Sequence, residues 1–121
     1  MNRLLPTLAA AAAAALAVAS QASAHAHLTT ADPAENSTVA APKALTLKFS
    51  EKLQPKFSGL TVTMPQMNDM AAPVKVAVGK DGASLVATPA KPLAAGTYKV
   101  SWHAVTADTH RTEGAYTFTV R

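Results

Sequence analysis

The sequence predicts an all-β protein, a small β-sandwich or barrel, on two observations. Apolar residues alternate with polar ones in short runs over residues 45–120, a pattern typical of strands with one face on a core and the other in water. Turn signals rich in Pro, Gly and Asp separate these runs, and no long stretch of this region shows helical periodicity. Short strands at this spacing favour a sandwich or a barrel.

Six strands are predicted in chain order. Their apolar positions are Leu45, Leu47 and Phe49; Leu60, Val62 and Met64; Val74, Val76 and Val78; Leu85 and Val86; Tyr98, Val100 and Trp102; and Tyr116, Phe118 and Val120. Trp102 is expected in the core, whereas His103 faces the other side and receives no role. The last two strands frame a polar loop from about Val105 to Gly114, and loops held by rigid strands often carry function.

Residues 1–24 are typical of a cleavable secretory signal peptide. Arg3 provides the charged start, an almost wholly apolar run follows from Leu4 to Val18, and the segment ends in Ala22-Ser23-Ala24. Cleavage after Ala24 would leave a 97-residue mature chain, residues 25–121. That length suits one domain. With the signal peptide removed, we expect the exported protein to be soluble and monomeric.

Composition excludes several classes of function. The chain has no cysteine, which excludes thiolate metal sites and disulfides. Without the predicted signal peptide, ten Lys and Arg residues stand against seven Asp and Glu residues. The lysines are dispersed rather than clustered, so nucleic acid is not an expected partner. No other stretch approaches the roughly 20 apolar residues of a membrane span.

His25 becomes the mature N-terminus if cleavage follows Ala24. Its α-amine and imidazole can then close a chelate ring on one metal ion, and copper(II) binds tightest among the divalent metals that such nitrogen sites accept. Downstream, an extended Asp108-Thr109-His110 segment would point a carboxylate and an imidazole to the same side. Taken alone, that triplet is a weak signal and favours an ordinary surface hydrogen bond.

Four long segments carry a resemblance to the CopC family of periplasmic copper-binding proteins. They are the start at residues 25–28, the stretch at residues 41–53, Lys56-Phe57-Ser58-Gly59, and the ending at residues 94–120. The resemblance implies a Greek-key β-sandwich, of the Ig-like or cupredoxin-like kind, that carries copper in the periplasm.

The resemblance also implies a set of ligands. The amine and imidazole of His25 would bind copper(II), and Asp108 and His110 would complete the site. Glu51 matches an acidic position sometimes placed near the metal, although a solvated residue past a strand end is an equal alternative. His27 offers a local mode in which the terminal amine, two amide nitrogens and its own imidazole surround the ion. We favour the ligands of the folded domain because they are preorganised.

Met64, Met67 and Met70 are the only methionines after Met1 and lie within seven residues of one another. Thioethers select copper(I), and the nearby prolines indicate an irregular loop. The resemblance supports a copper(I) site here, yet Ala72 and Lys75 stand where family members often have histidine and methionine. Met64 shares the parity of the preceding strand, so it can instead pack inward as core.

The sequence therefore favours a binding protein rather than an enzyme: a periplasmic copper carrier or buffer in copper resistance and homeostasis. Copper is the expected metal, as copper(II) and in the methionine loop as copper(I). An inner-membrane copper permease or another periplasmic copper protein is the expected partner, by family analogy. Two alternatives remain open at this point: a copper oxidase or monooxygenase that uses an N-terminal histidine, and an Ig-like interaction domain with incidental histidines.

Overall fold

Alternating buried and exposed side chains build two facing β-sheets, which a computed structural model describes for residues 27–121. The strands in this part of the chain are β1 (Leu28–Asp32), β2 (Thr38–Val39), β3 (Leu45–Phe49), β4 (Gly59–Met64), β5 (Met70–Ala71), β6 (Val74–Val78), β7 (Ser84–Pro89), β8 (Gly96–Val105) and β9 (Arg111–Val120). Two short 3₁₀ helices lie at Pro55–Phe57 and Pro65–Met67. Between residues 27 and 121 no helix is long and apolar enough to span a membrane.

One sheet has the strand order β1-β3-β7-β6, and the other has the order β2-β9-β8-β4-β5. Neighbouring strands are antiparallel except β2 and β9, which are parallel. The β-sandwich prediction is confirmed.

The core lies between the two sheets and is built from the predicted inward positions. Leu45, Leu47 and Leu85 come from one sheet, and Tyr98 and Phe118 from the other, each at most 1 % exposed. The two aromatic rings of the second sheet stack with centroids 5.6 Å apart. Burial of such side chains drives the association of the sheets, at roughly 25 cal/mol per Å² of apolar surface.

Trp102 lies at the edge of this core, half-buried, with its ring edge-on to Phe49 at a centroid distance of 5.1 Å. Gly114 faces it across the ladder, and a Cβ atom there would lie 2.7 Å from the indole Cζ2. The absence of a side chain at residue 114 therefore lets the indole lie against the neighbouring strand. His103 points to the opposite face, over Gly59, and is also half-buried.

The hairpin between β8 and β9 is tighter than the sequence indicated. The predicted loop from Val105 to Gly114 is wrong, because cross-strand pairing continues until Val105 faces Arg111. The polar residues of early β9 are exposed positions of a strand rather than loop residues. The connecting loop therefore contains residues 106–110 alone.

The sheet register separates the two groups of candidate ligands. Along β4 and β8, Gly59 faces His103 and Thr63 faces Lys99. The segment after β4, residues 64–70, therefore lies at the opposite end of the sandwich from loop 106–110. β8 has ten residues, so the two ends are about 30 Å apart at 3.3 Å per residue. We call them the methionine end and the histidine end.

Candidate metal centre

Loop 106–110 closes the histidine end with a tight turn. Thr106 N–H donates to the His110 carbonyl (3.1 Å), and Thr109 N–H donates to the Thr106 carbonyl (2.9 Å). Thr109 has a left-handed φ of 69°, a strained conformation for a β-branched residue. Residues with such backbone strain are concentrated at functional sites. The turn, rather than the extended backbone expected from the sequence, brings residues 108 and 110 to one side.

Asp108 and His110 form the central contact of the loop. Asp108 Oδ2 lies 2.9 Å from His110 Nδ1. Asp108 Oδ1 accepts the Thr106 hydroxyl and, at 3.3 Å, the His110 backbone N–H. The hydrogen bond from Thr106, and after it the one from His110, hold the pKa of the Asp108 carboxyl well below its usual range. Because Nδ1 faces the carboxylate, a metal ion would meet the ring at Nε2.

Both side chains are accessible to a metal ion. The exposed fraction is 49 % for Asp108 and 51 % for His110. Imidazole nitrogen is a ligand that copper, zinc and nickel accept. A carboxylate oxygen is a harder ligand that occurs beside imidazole in metal sites of this kind. The structure thus brings together two of the ligands predicted from the sequence.

The start of the described chain is fixed at the same end of the sandwich. His27 N–H donates to Ser50 Oγ, and Ser50 N–H donates to the His27 carbonyl, both at 2.9 Å. The next residue along, Glu51, is exposed. These two hydrogen bonds anchor the chain directly before β1, two residues after His25.

A second group of contacts ties this side of the sandwich to the loop. Leu53 pairs with Thr106 in an isolated antiparallel bridge. Gln54 N–H donates to the Val105 carbonyl (2.8 Å), and Gln54 Nε2 donates to the Thr106 carbonyl (2.6 Å). Val105 N–H donates to Ser58 Oγ (3.0 Å). We call Leu53, Gln54 and Ser58, together with Val105 and Thr106, the bracket.

The remaining predicted ligands are not gathered with Asp108 and His110. Among residues 27–121, no group of three or more His, Cys, Asp or Glu side chains is placed to hold a metal ion. Glu51 and His27 share the histidine end but do not complete such a group. His25 lies outside the described residues, as does the predicted signal peptide, so the predicted chelate at residue 25 stays a prediction.

The three methionines lie together at the methionine end, on one β-hairpin. Met64 of β4 faces Met70 of β5, and such partners project from the same side of the ladder. Met64 is half-buried and packs against the core, as its parity predicts, whereas Met67 and Met70 are 48 % and 50 % exposed. Asn68 and Asp69 adopt left-handed φ angles, which these residue types tolerate in turns.

The supporting residues were not found from the sequence. Thr106 and Gln54 gave no pattern that distinguished them from other polar residues beside turns. Thr106 is 1 % exposed although it lies in a polar segment, and its burial follows from the bridge to Leu53. Only the fold shows that contact, which joins positions more than 50 residues apart.

Comparison with known proteins is consistent with this architecture. The CopC domain profile matches residues 28–121. The chain belongs to the CopC family.

Relatives of this CopC-family chain match more than three quarters of its length. It is 49 % identical over 100 residues to copper resistance protein C of Escherichia coli, covering 78 % of this chain and 79 % of the relative. The corresponding protein of Xanthomonas campestris pv. juglandis is 43 % identical over 99 residues, covering 78 % of each.

Solved structures share the fold of this CopC-family chain. The crystal structure of PcoC, a methionine-rich copper resistance protein from Escherichia coli, has a TM-score of 0.76 at 48 % identity, over 81 % of this chain and all of PcoC. The CopC structure from Methylosinus trichosporium OB3b has a TM-score of 0.71 at 28 % identity, over 79 % and 93 % of the two chains.

The lowered pKa of Asp108 predicts an acid-dependent loss of stability. The folded state holds the Asp108 proton less tightly than the unfolded state, so its stabilising effect is present above about pH 4 and is lost as the pH falls further. We expect Asp108→Asn to lower the thermal unfolding temperature at pH 7. The difference in unfolding temperature between the variant and the wild type should narrow progressively below about pH 4. Thermal unfolding followed by circular dichroism from pH 7 to pH 2.5 measures this. A difference in unfolding temperature that stays constant with pH would contradict a stabilising role for the ionised Asp108 carboxylate.

Proposed function

We propose that this chain is a periplasmic copper-binding protein that carries or buffers copper in copper resistance and homeostasis. The observation that carries the proposal is the Asp108–His110 pair, held at the end of the sandwich where His27 is anchored. Relatives that are named copper resistance protein C support copper as the metal. The signal-like residues 1–24 support export.

The proposed copper(II) site combines His25 with the loop. After cleavage behind Ala24, the α-amine and the imidazole of His25 supply two nitrogen ligands. His110 supplies a third nitrogen and Asp108 an oxygen, a set that suits tetragonal copper(II). An ion at His110 Nε2 would lie on the far side of the ring from the Asp108 oxygen held at Nδ1. Binding of both residues to one copper ion therefore requires the Asp108–His110 contact to rearrange when copper binds.

The position of the chain start supports this arrangement. Ser50 is bonded to His27, and Leu53 pairs with Thr106 in the loop. Leu53 lies three positions after Ser50 in the sequence, a span of at most about 11 Å for extended chain. The chain start therefore lies close enough to loop 106–110 for a residue two positions before His27 to reach it.

Glu51 and His27 have supporting places in the proposal. Glu51 follows the anchoring Ser50 and is exposed, so its carboxylate contributes negative charge near the bound cation. The backbone N–H of His27 is engaged by Ser50 Oγ. In the local chelate of the chain start, that amide nitrogen must be deprotonated and bound to copper, so this hydrogen bond favours the ligands of the folded domain.

The methionine end is the proposed copper(I) site, with Met64, Met67 and Met70 as ligands. Three thioethers on one hairpin are soft ligands that select copper(I) over harder divalent ions. The half-exposed side chains of Met67 and Met70 suit the transfer of copper to another protein. An inner-membrane copper permease or another periplasmic copper protein is the proposed partner.

A terminal extension tests the copper(II) site. Intact mass of the exported protein should begin at His25, and one added residue before it should remove the terminal chelate. We expect copper(II) affinity to fall by more than the ten- to hundredfold loss that follows removal of a hydrogen-bond partner of a ligand. Quenching of Trp102, the single tryptophan, reports binding because its ring lies against Phe49 beside the anchored chain start. Unchanged affinity in the extended protein would refute the chelate.

Substitutions at the methionine end test the copper(I) site separately. Met67→Leu with Met70→Leu removes two thioethers from exposed positions while keeping side-chain size, so the fold should be retained. We expect copper(I) affinity, measured by competition with a chromogenic chelator under reducing conditions, to fall at least about tenfold, and copper(II) affinity to stay unchanged because the ends are about 30 Å apart. Equal copper(I) affinity in the double variant and the wild type would exclude these ligands.

A further inference from the structure

We infer that Gln54 and Thr106 are positioning residues of the copper(II) site, and that they set the place and orientation of Asp108 and His110 without touching the metal. The inference rests on the proposed function. No sequence pattern singled out this carboxamide or this hydroxyl, which lie about 50 residues apart, one in the β3–β4 connection and one directly after β8.

Thr106 controls the carboxylate. Its side chain is 1 % exposed, and its hydroxyl donates to Asp108 Oδ1, while Oδ2 faces His110 Nδ1. One buried group thus fixes the rotation of the Asp108 carboxylate, and the carboxylate fixes the His110 ring. Such a series of hydrogen bonds sets which ring nitrogen of His110 faces the metal and the direction in which that nitrogen points.

Gln54 controls the place of the loop. Its Nε2 donates to the Thr106 carbonyl at 2.6 Å, and its backbone N–H donates to the Val105 carbonyl at 2.8 Å. Both bonds cross from the β3–β4 connection to the end of β8. The same β3–β4 connection holds the chain start through Ser50. The bonds from Gln54 therefore help to set the distance between the chain start and loop 106–110, which carry the proposed ligands.

Ser58 provides a matched control within the same bracket. Its hydroxyl accepts the Val105 N–H at 3.0 Å, yet it contacts neither the Thr106 side chain nor the Thr106 carbonyl in the hydrogen bonds that the described chain shows. The hydroxyl also donates to the Val105 carbonyl at 3.5 Å. Ser58→Ala therefore weakens the histidine end by two hydrogen bonds to Val105 without releasing the Asp108 carboxylate. If the bracket only stabilised the fold, Ser58→Ala would change copper(II) affinity and the spectrum as much as substitutions at Thr106 and Gln54 do.

The test compares four variants in the mature protein. Thr106→Val replaces the hydroxyl by a methyl group, Thr106→Ser retains the hydroxyl, Gln54→Met removes the amide donor while keeping the stem, and Ser58→Ala is the control. Copper(II) affinity and the electron paramagnetic resonance spectrum are measured with thermal stability. The ring ¹⁵N shifts of His110 are measured in the copper-free protein.

We expect Thr106→Val and Gln54→Met to weaken copper(II) binding about tenfold or more and to change the copper hyperfine splitting. Thr106→Ser should bind as the wild type does, and Ser58→Ala should lose thermal stability with affinity and spectrum unchanged. In the copper-free protein, Thr106→Val should shift the His110 ring nitrogens. Unchanged affinity and spectrum in Thr106→Val and Gln54→Met, or equal effects in Ser58→Ala, would overturn the inference.

The copper-free measurement separates this inference from the proposed function. A wild-type protein that binds no copper(II) refutes the proposed function. The inference is then decided by the His110 ring shifts alone: shifts that are identical in Thr106→Val and the wild type overturn it, and altered shifts support the orienting chain from Thr106 through Asp108.

Discussion

The histidine end depends on one constraint, the hydrogen bonds that join Leu53 and Gln54 of the β3–β4 connection to Val105 and Thr106 at the end of β8. Sheets in a sandwich are held together mainly by non-directional apolar packing, which tolerates small sliding movements. A metal site needs ligands placed to within about half an ångström. Directional hydrogen bonds at the end of β8 hold loop 106–110 more accurately than core packing does, beside the proposed copper(II) site.

Hydrogen bonds within loop 106–110 also fix the position of the Asp108 side chain. Asp108 accepts donors from Thr106 and His110, and charge-assisted hydrogen bonds of this kind are stronger than neutral ones. Their effect appears as the lowered pKa of the Asp108 carboxyl. The carboxylate is therefore ionised and oriented before any metal arrives, which removes part of the ordering cost of binding. The methionine end has no such network in the described hydrogen bonds and presents the half-exposed thioethers of Met67 and Met70 instead.

The sequence predicted the sandwich because period-two alternation is strong in β3, β4, β6, β8 and β9. It did not predict β1, β2 or β5, because β1 lacks clear alternation and the other two contain two residues each. Asp108 and His110 were found from their spacing and the family resemblance, and they do lie together. Thr106 and Gln54 were missed because their contacts span about 50 residues of chain, and local patterns carry no information about such pairs.

The central claim is that copper(II) binds where the start of β1 meets loop 106–110. Paramagnetic broadening of backbone amide signals, recorded during copper(II) titration of the ¹⁵N-labelled mature protein, tests it most directly. The account predicts that the signals of His27, Ser50, Glu51 and residues 106–111 disappear first, while those of residues 64–71 at the methionine end persist. Early loss of the signals of residues 64–71, or even broadening across the whole chain, would contradict the account.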